Sequence, residues 1–160
     1  GRDATGIGVD LLKRAVGANL GLGCHQAIEN RFYTAQRDSA GNPLDVRHPL
    51  QLPFDADAMP PRNPFWSLTS YGTDLYLVEN EIDRWSISDR TPGLVFDDDG
   101  SLTIIISAER PAKTTNWLPV PSGPFLLGMR VYEGQSDVIA CEWFPPTLTG
   151  PLGKSASRRH

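Results

Sequence analysis

Apolar residues in this chain first recur at helical spacing, then break into short runs separated by turn formers. Leu11, Leu12, Ala15, Val16 and Leu20 fall on one side of a helix expected from about Val9 to Asn19. Lys13 and Arg14 take the other side, and Gly21 and Gly23 stand where a C-terminal cap belongs. Beyond them the pattern is that of strands. Arg31 to Gln36 is strand-like and Asp38-Ser39-Ala40-Gly41-Asn42 reads as a hairpin turn. Arg47 to Phe54 returns with Pro49 and Pro53, which confine it to an edge or to irregular structure. Asp55 to Asn63 is a loop.

Phe65 to Tyr71 and Leu75 to Val78 read as two strands around a Gly72-Thr73-Asp74 turn. Ile82 to Ser88 fits either a strand or a short helical turn. Leu94 to Phe96 and Leu102 to Ser107, joined at Asp97-Asp98-Asp99-Gly100, make the clearest hairpin, and Ala108 to Thr115 is a polar loop. Phe125 to Tyr132 is apolar enough for a central strand. Val138 to Phe144 reads as the last strand, stopped by Pro145-Pro146. The fold class expected is mainly β: an antiparallel β-sandwich of jelly-roll type with one N-terminal α-helix. Residues 1–8 form a flexible lead, 9–149 a single domain, and 150–160 a basic tail with Lys154, Arg158 and Arg159.

Composition narrows the function classes. A chain of 160 residues suits one domain with a core of its own, and fourteen prolines with fifteen glycines supply the punctuation of many short strands. A net charge of -4 argues against nucleic acid as a partner, which needs a basic face. No apolar run reaches the roughly 18 residues of a membrane span. Membrane attachment is therefore expected only through an anchor outside this sequence, which opens at Gly1. Cys24 and Cys141 are too few for a disulfide framework and too far apart for a local metal clip. They are two buried thiols or one long-range disulfide.

Four motifs occur in order: Phe65-Trp66-Ser67-Leu68-Thr69, Asp89-Arg90-Thr91-Pro92-Gly93-Leu94, Asp99-Gly100-Ser101-Leu102-Thr103-Ile104, and Asn116-Trp117-Leu118-Pro119 with Gly123-Pro124-Phe125. Together they resemble the bacterial family called domain of unknown function 1214, from the first helix to Trp143-Phe144-Pro145-Pro146. The resemblance implies a jelly-roll sandwich. It also implies a short, stand-alone member lacking the domain of unknown function 1254 that precedes many relatives. Gly72 departs from the pattern, in which aspartate commonly follows the tyrosine, and so does the proline-broken segment from Arg47 to Pro53. No established activity comes with the family.

Candidate chemistry is sparse. Asp97-Asp98-Asp99-Gly100 has clustered carboxylates but no glutamate at the twelfth position of a calcium loop, so a hairpin corner explains it and no metal is expected. Cys24 and His25 are sequence neighbours, which seldom makes a nucleophile and its base. No Gly-x-Ser-x-Gly elbow, Walker loop, His-Glu-x-x-His or Cys-x-x-Cys occurs, and no cofactor is expected. Glu79, Glu81, Asp83, Asp89 and Asp97 could serve glycosidase-like acid–base chemistry only if two met in a cleft.

Most of Trp66, Trp85, Trp117 and Trp143 belong in the core, while Trp85 or Trp117, beside polar corners and near Arg90, are the ligand-binding candidates. Asp89 and Arg90 are expected to be a structural corner, since Pro92 presets a turn and Gly93 permits positive φ. The function expected is a non-catalytic binding or assembly module of the bacterial cell envelope, periplasmic or anchored outside the cytoplasm, with a carbohydrate or an envelope protein as partner. Homo-oligomerisation is a further expectation if an apolar face is left open. The alternative is a hydrolase acting on a sugar or small ester through carboxylates in a cleft, and the alternative location is the cytoplasm.

Overall fold

Two long strands, none of whose residues is exposed, organise the molecule: β3 (Phe65–Gly72) and β7 (Phe125–Tyr132). They pair antiparallel without a break from Phe65↔Tyr132 to Gly72↔Phe125. Because side chains alternate faces along a strand, Trp66, Leu68, Leu127, Met129 and Val131 point one way into the core. Ser67, Thr69, Arg130 and Tyr132 take the other face. The computed structural model describes residues 30–45, 48–59, 65–112, 115–132 and 143–150. The expected helix over Val9–Asn19, the two cysteines, His25 and residues 138–142 of the expected Val138–Phe144 strand lie outside the described residues, and Trp143 and Phe144 are not in a strand.

β1 (Asn30–Ala35) pairs with β7 and β4 (Ser86–Ser88) with β3, giving a four-stranded antiparallel sheet in the order β1-β7-β3-β4. The apolar run Phe125–Tyr132 is central, as its composition indicated. A second sheet orders β2 (Leu50–Phe54), β5 (Leu102–Ser107) and β6 (Trp117–Pro119) as β2-β5-β6. Leu50, Leu52, Phe54, Leu102, Ile104, Ile106 and Leu118 from this sheet share one apolar cluster with the inward residues of the first. The chain is thus mainly β, with two sheets on a common core. Its single helical turn among the described residues is the 3-10 turn Ala56–Ala58.

Three expectations change. β5 and β6 run parallel, from Ile105↔Trp117 to Ser107↔Pro119, so the pairing is not antiparallel throughout. The Trp117 indole N–H donates to the Ser107 carbonyl (3.0 Å) and the Ile105 N–H to the Asn116 carbonyl (2.8 Å), which closes this short crossover. Leu94–Phe96 is not a strand, although the turn at Asp97–Gly100 forms, with Gly100 donating to the Asp97 carbonyl at 2.8 Å. Leu75–Val78 is not a strand either. The reasons are local to each: Leu75 has a φ of 70°, outside the extended region a strand needs, and the Val95 N–H and carbonyl are both taken by the Asn116 side chain.

Asn116 takes over at Val95. Its side-chain amide accepts from the Val95 N–H (2.9 Å) and donates to the Val95 carbonyl (2.6 Å), satisfying the groups that a ladder would have satisfied. Asn116 itself is buried. Asn116→Ala is expected to lower the unfolding free energy by about 1–3 kcal/mol, read from the urea midpoint. An unchanged midpoint would mean that water replaces the amide at no cost.

Candidate functional site

The two sheets are closed differently on their two sides. On the β4/β6 side, buried Ser70 donates its hydroxyl to the Pro119 carbonyl (3.0 Å), and the Arg84 Nη1 donates to the carbonyls of Trp117 (3.0 Å) and Thr115 (3.2 Å). On the β1/β2 side the segment 143–149 runs across the edges as a strap. The Tyr33 hydroxyl donates to the Trp143 carbonyl (3.0 Å), the Ser39 N–H to the Leu148 carbonyl (3.1 Å), and Gln51 and Thr149 exchange backbone bonds at 3.0 and 2.9 Å.

Between the strap and the sheets lies a cleft of about 280 Å³. Its floor is apolar: Leu52 from β2, Leu68 from β3, Leu127 and Met129 from β7, and Leu148 from the strap. Its rim carries Thr34, Arg37, Asp38, Ser39 and Thr147. The strap's Phe144 stands exposed at the mouth, its ring 6.0 Å from that of Tyr33. Arg37 reaches back to the Gly41 carbonyl (2.8 Å).

Asp38 is the one carboxylate on this lining, and its oxygens are taken up by its own turn. They accept from the backbone N–H of Ala40 and of Asn42 (2.9 Å each) and from the Asn42 side chain (3.1 Å). The Asn42 side-chain bond, then the Asn42 backbone bond, hold this carboxyl below the ordinary carboxylate range, so it stays ionised and serves the turn rather than proton transfer. A second, polar hollow opens beside Arg84 and Arg110 on the far side of the molecule.

A family model described as "Protein of unknown function (DUF1214)" matches residues 29–136. The chain belongs to this family. The DUF1214 chain is also similar to the crystal structure of the VPA0106 protein from Vibrio parahaemolyticus, at 33% identity and a TM-score of 0.73 over 87% of its own length. It resembles the fold of an uncharacterized protein from Burkholderia cenocepacia at 16% identity, with a TM-score of 0.53 over 74% of its length. It spans 35% of the first protein and 28% of the second. No curated protein matches it.

The DUF1214 fold separates the residues that the sequence singled out. Trp66 is 1% exposed in the core, while Trp117, 2% exposed on the outer face of the smaller sheet, lines the polar hollow beside Arg84. Trp85 is half-buried and its carbonyl accepts from the Ser70 N–H (3.1 Å). Trp143 is half-buried, with its ring 5.7 Å from Tyr33. Glu79, Glu81, Asp83, Asp89 and Asp97 are all exposed and none lines the cleft. Among the described residues no group of three or more His, Cys, Asp or Glu could hold a metal.

Asp89 and Arg90 part company at their corner. Asp89 accepts from the Trp66 N–H (3.3 Å), tying the turn after β4 to the start of β3. The turn is held by Ser88 and Thr91, which bond each other through the Ser88 N–H to the Thr91 hydroxyl (2.9 Å) and the Thr91 N–H to the Ser88 carbonyl (3.0 Å). Arg90 instead lays its guanidinium over the Phe65 ring at 4.8 Å, and Phe65 lies 5.4 Å from Tyr132. Both members of the pair are exposed, so the cost expected of a buried ionic network does not apply here. Asp89→Ala is expected to lower stability by about 1–3 kcal/mol, because it leaves the backbone N–H of buried Trp66 without this acceptor. Arg90→Ala should lower it by about 0.5–1 kcal/mol through the lost stacking. Thermal melts of both variants check the order, and a larger loss for Arg90→Ala would reverse the roles.

Sequence reasoning missed the cleft. Tyr33, Leu52, Leu68, Leu127 and Leu148 look like ordinary inward positions of separate strands. The one signal in the sequence was the Trp143-Phe144-Pro145-Pro146 stretch, whose prolines keep it out of a ladder and free it to act as a strap.

Proposed function

We propose that this chain is a non-catalytic β-sandwich of jelly-roll type that binds a small apolar or amphipathic molecule in the cleft beneath the 143–149 strap. The observation that carries the reading is the composition of that cleft. Five apolar side chains from four separate segments form its floor, while the polar groups sit at its rim. Ligand sites are concave, mostly apolar and furnished with few polar groups, and about 280 Å³ falls near the small end of their usual range. Acid–base hydrolysis needs two carboxylates facing one substrate. The lining supplies Asp38 alone, and its oxygens are engaged within its own turn. Action in the bacterial cell envelope is part of the same proposal. Recovery of the full gene product in the cytoplasm would remove that part and leave the cleft untouched.

An uncharged dye tests the cleft without involving the charged surface. Nile red is expected to bind saturably with a rise in fluorescence. Ala35→Phe, which enlarges a half-buried side chain on the lining, should abolish the rise while the melting temperature holds. Phe144→Ala, at an exposed position on the mouth, should weaken it. Fluorescence indifferent to both substitutions would sink the proposal.

A further inference from the structure

The second hollow, of about 250 Å³, lies on the other side of the molecule from the strap and is lined by Ile82, Arg84, Pro92, Gly93, Arg110, Thr115 and Trp117. Two cations and no carboxylate line it, in a chain whose net charge is -4. Glu81, Asp83 and Glu109 adjoin these arginines in sequence, but they are exposed and stand outside the lining.

Arg84 is held in place at both ends. The Asn80 side chain accepts from the Arg84 N–H (2.9 Å) and donates to the Arg84 carbonyl (3.0 Å), and Asp83 turns the chain there with a φ of 50°. At the far end Nη1 is shared between the carbonyls of Thr115 and Trp117, which fixes the guanidinium plane. A guanidinium carries about five N–H donors in a rigid fork, so the two bonds through Nη1 leave Nε and Nη2 to serve other acceptors. Arg84 is half-buried, where a charge-assisted bond is less diluted by water than at an open surface. Arg110 is exposed and has no ion pair among the described residues. One arginine is thus preorganised and the other stands ready to complete the pair. Ile82, Pro92 and Trp117 add apolar wall beside the two charges.

We propose that this hollow is a binding site for a small organic anion, a carboxylate or a phosphate monoester, whose charged end is held between Arg84 and Arg110. The site is independent of the cleft beneath the strap. Bidentate recognition of a planar carboxylate or a phosphate is what an arginine fork does best.

The test is calorimetric titration of the chain at low ionic strength with benzoate in one arm and inorganic phosphate in the other. Saturable binding of at least one is expected. A benzoate preference would assign the site to carboxylates with an apolar body, and a phosphate preference to phosphate groups. Arg110→Gln should weaken the bound anion about tenfold, the worth of one charge-assisted bond. Because Arg84 also ties two backbone carbonyls, Arg84→Lys is read alongside its melting temperature, and Arg110→Gln, at an exposed position, carries the decision. Ala35→Phe, in the other cleft, should leave the anion isotherm unchanged. Absence of binding in both arms at millimolar concentration, or binding that Arg110→Gln leaves intact, would overturn the proposal.

Discussion

Everything in this fold leans on the pairing of β3 with β7. These are the two longest strands among the described residues, and their register fixes which side chains face the second sheet. A slip of one residue would exchange Trp66, Leu68, Met129 and Val131 with Ser67, Thr69 and Arg130, placing a charge in the core and a tryptophan outside. The outer face holds the same register from the opposite side. Gly128 lies under the Phe32 ring so closely that a Cβ there would stand 2.7 Å from it, and Arg130 covers that ring at 4.5 Å while donating to the Tyr71 hydroxyl at 2.8 Å. A side chain at Gly128 would have to displace the Phe32 ring and with it the Arg130 contact.

What the sequence made legible follows from how local each feature is. β7 reads correctly because apolar residues nearly fill the run, with Arg130 alone charged, and every position is at least half-buried. β2 sits at an edge because Pro53 cannot donate to a ladder. The turn from Asp38 to Asn42 is likewise written in its own letters, with Gly41 at a φ of 84° and Asp38 bonding the amides that follow. The two hairpins expected at 75–78 and 94–96 had equally good letters and did not form. Turn chemistry decides whether a chain can reverse, but the returning segment pairs only if its backbone stays extended and free: Leu75 turns away at a φ of 70°, and Asn116 takes both backbone groups of Val95. Asn116 lies 21 residues from Val95, beyond any local reading of that hairpin. β6 was overlooked for the opposite reason. It is three residues long, ends in proline, and is held by the Trp117 indole and Asn116 bonds, which no propensity records.

The candidate sites were less legible than the fold. Of the two tryptophans near polar corners, Trp117 lines the arginine hollow and also donates to the Ser107 carbonyl, while Trp85 lines neither opening. Arg90 stood out in its motif and proved to be stacked on Phe65, while the neighbouring loop's Arg84 occupies the hollow. Nothing around Arg84 in the sequence distinguishes it. Its position comes from Thr115 and Trp117, some thirty residues downstream, and from the Asn80 clamp. Apolar clefts are hidden in the same way, since Leu68 and Leu127 serve the core and the lining at once.

The unequal closure of the two sides gives the cleft its place. Where Ser70 and Arg84 join the sheets, the bonds come from buried or half-buried side chains, and breaking the Ser70 bond would strand a polar group in the core. Such a loss carries the full desolvation penalty of the abandoned group. The strap bonds differ. Ser39 and Thr149 are exposed, so water can replace their partners at small cost. Local opening in proteins follows the segments with exposed backbone bonds and few apolar anchors. Here that describes residues 143–149, anchored chiefly by Leu148 in the core and by Trp143 against it. The side of the molecule least expensive to loosen is therefore the side on which the apolar cleft lies. The arginine hollow sits on the side held by buried bonds, where rigidity favours a fixed charged fork over an adaptable apolar one.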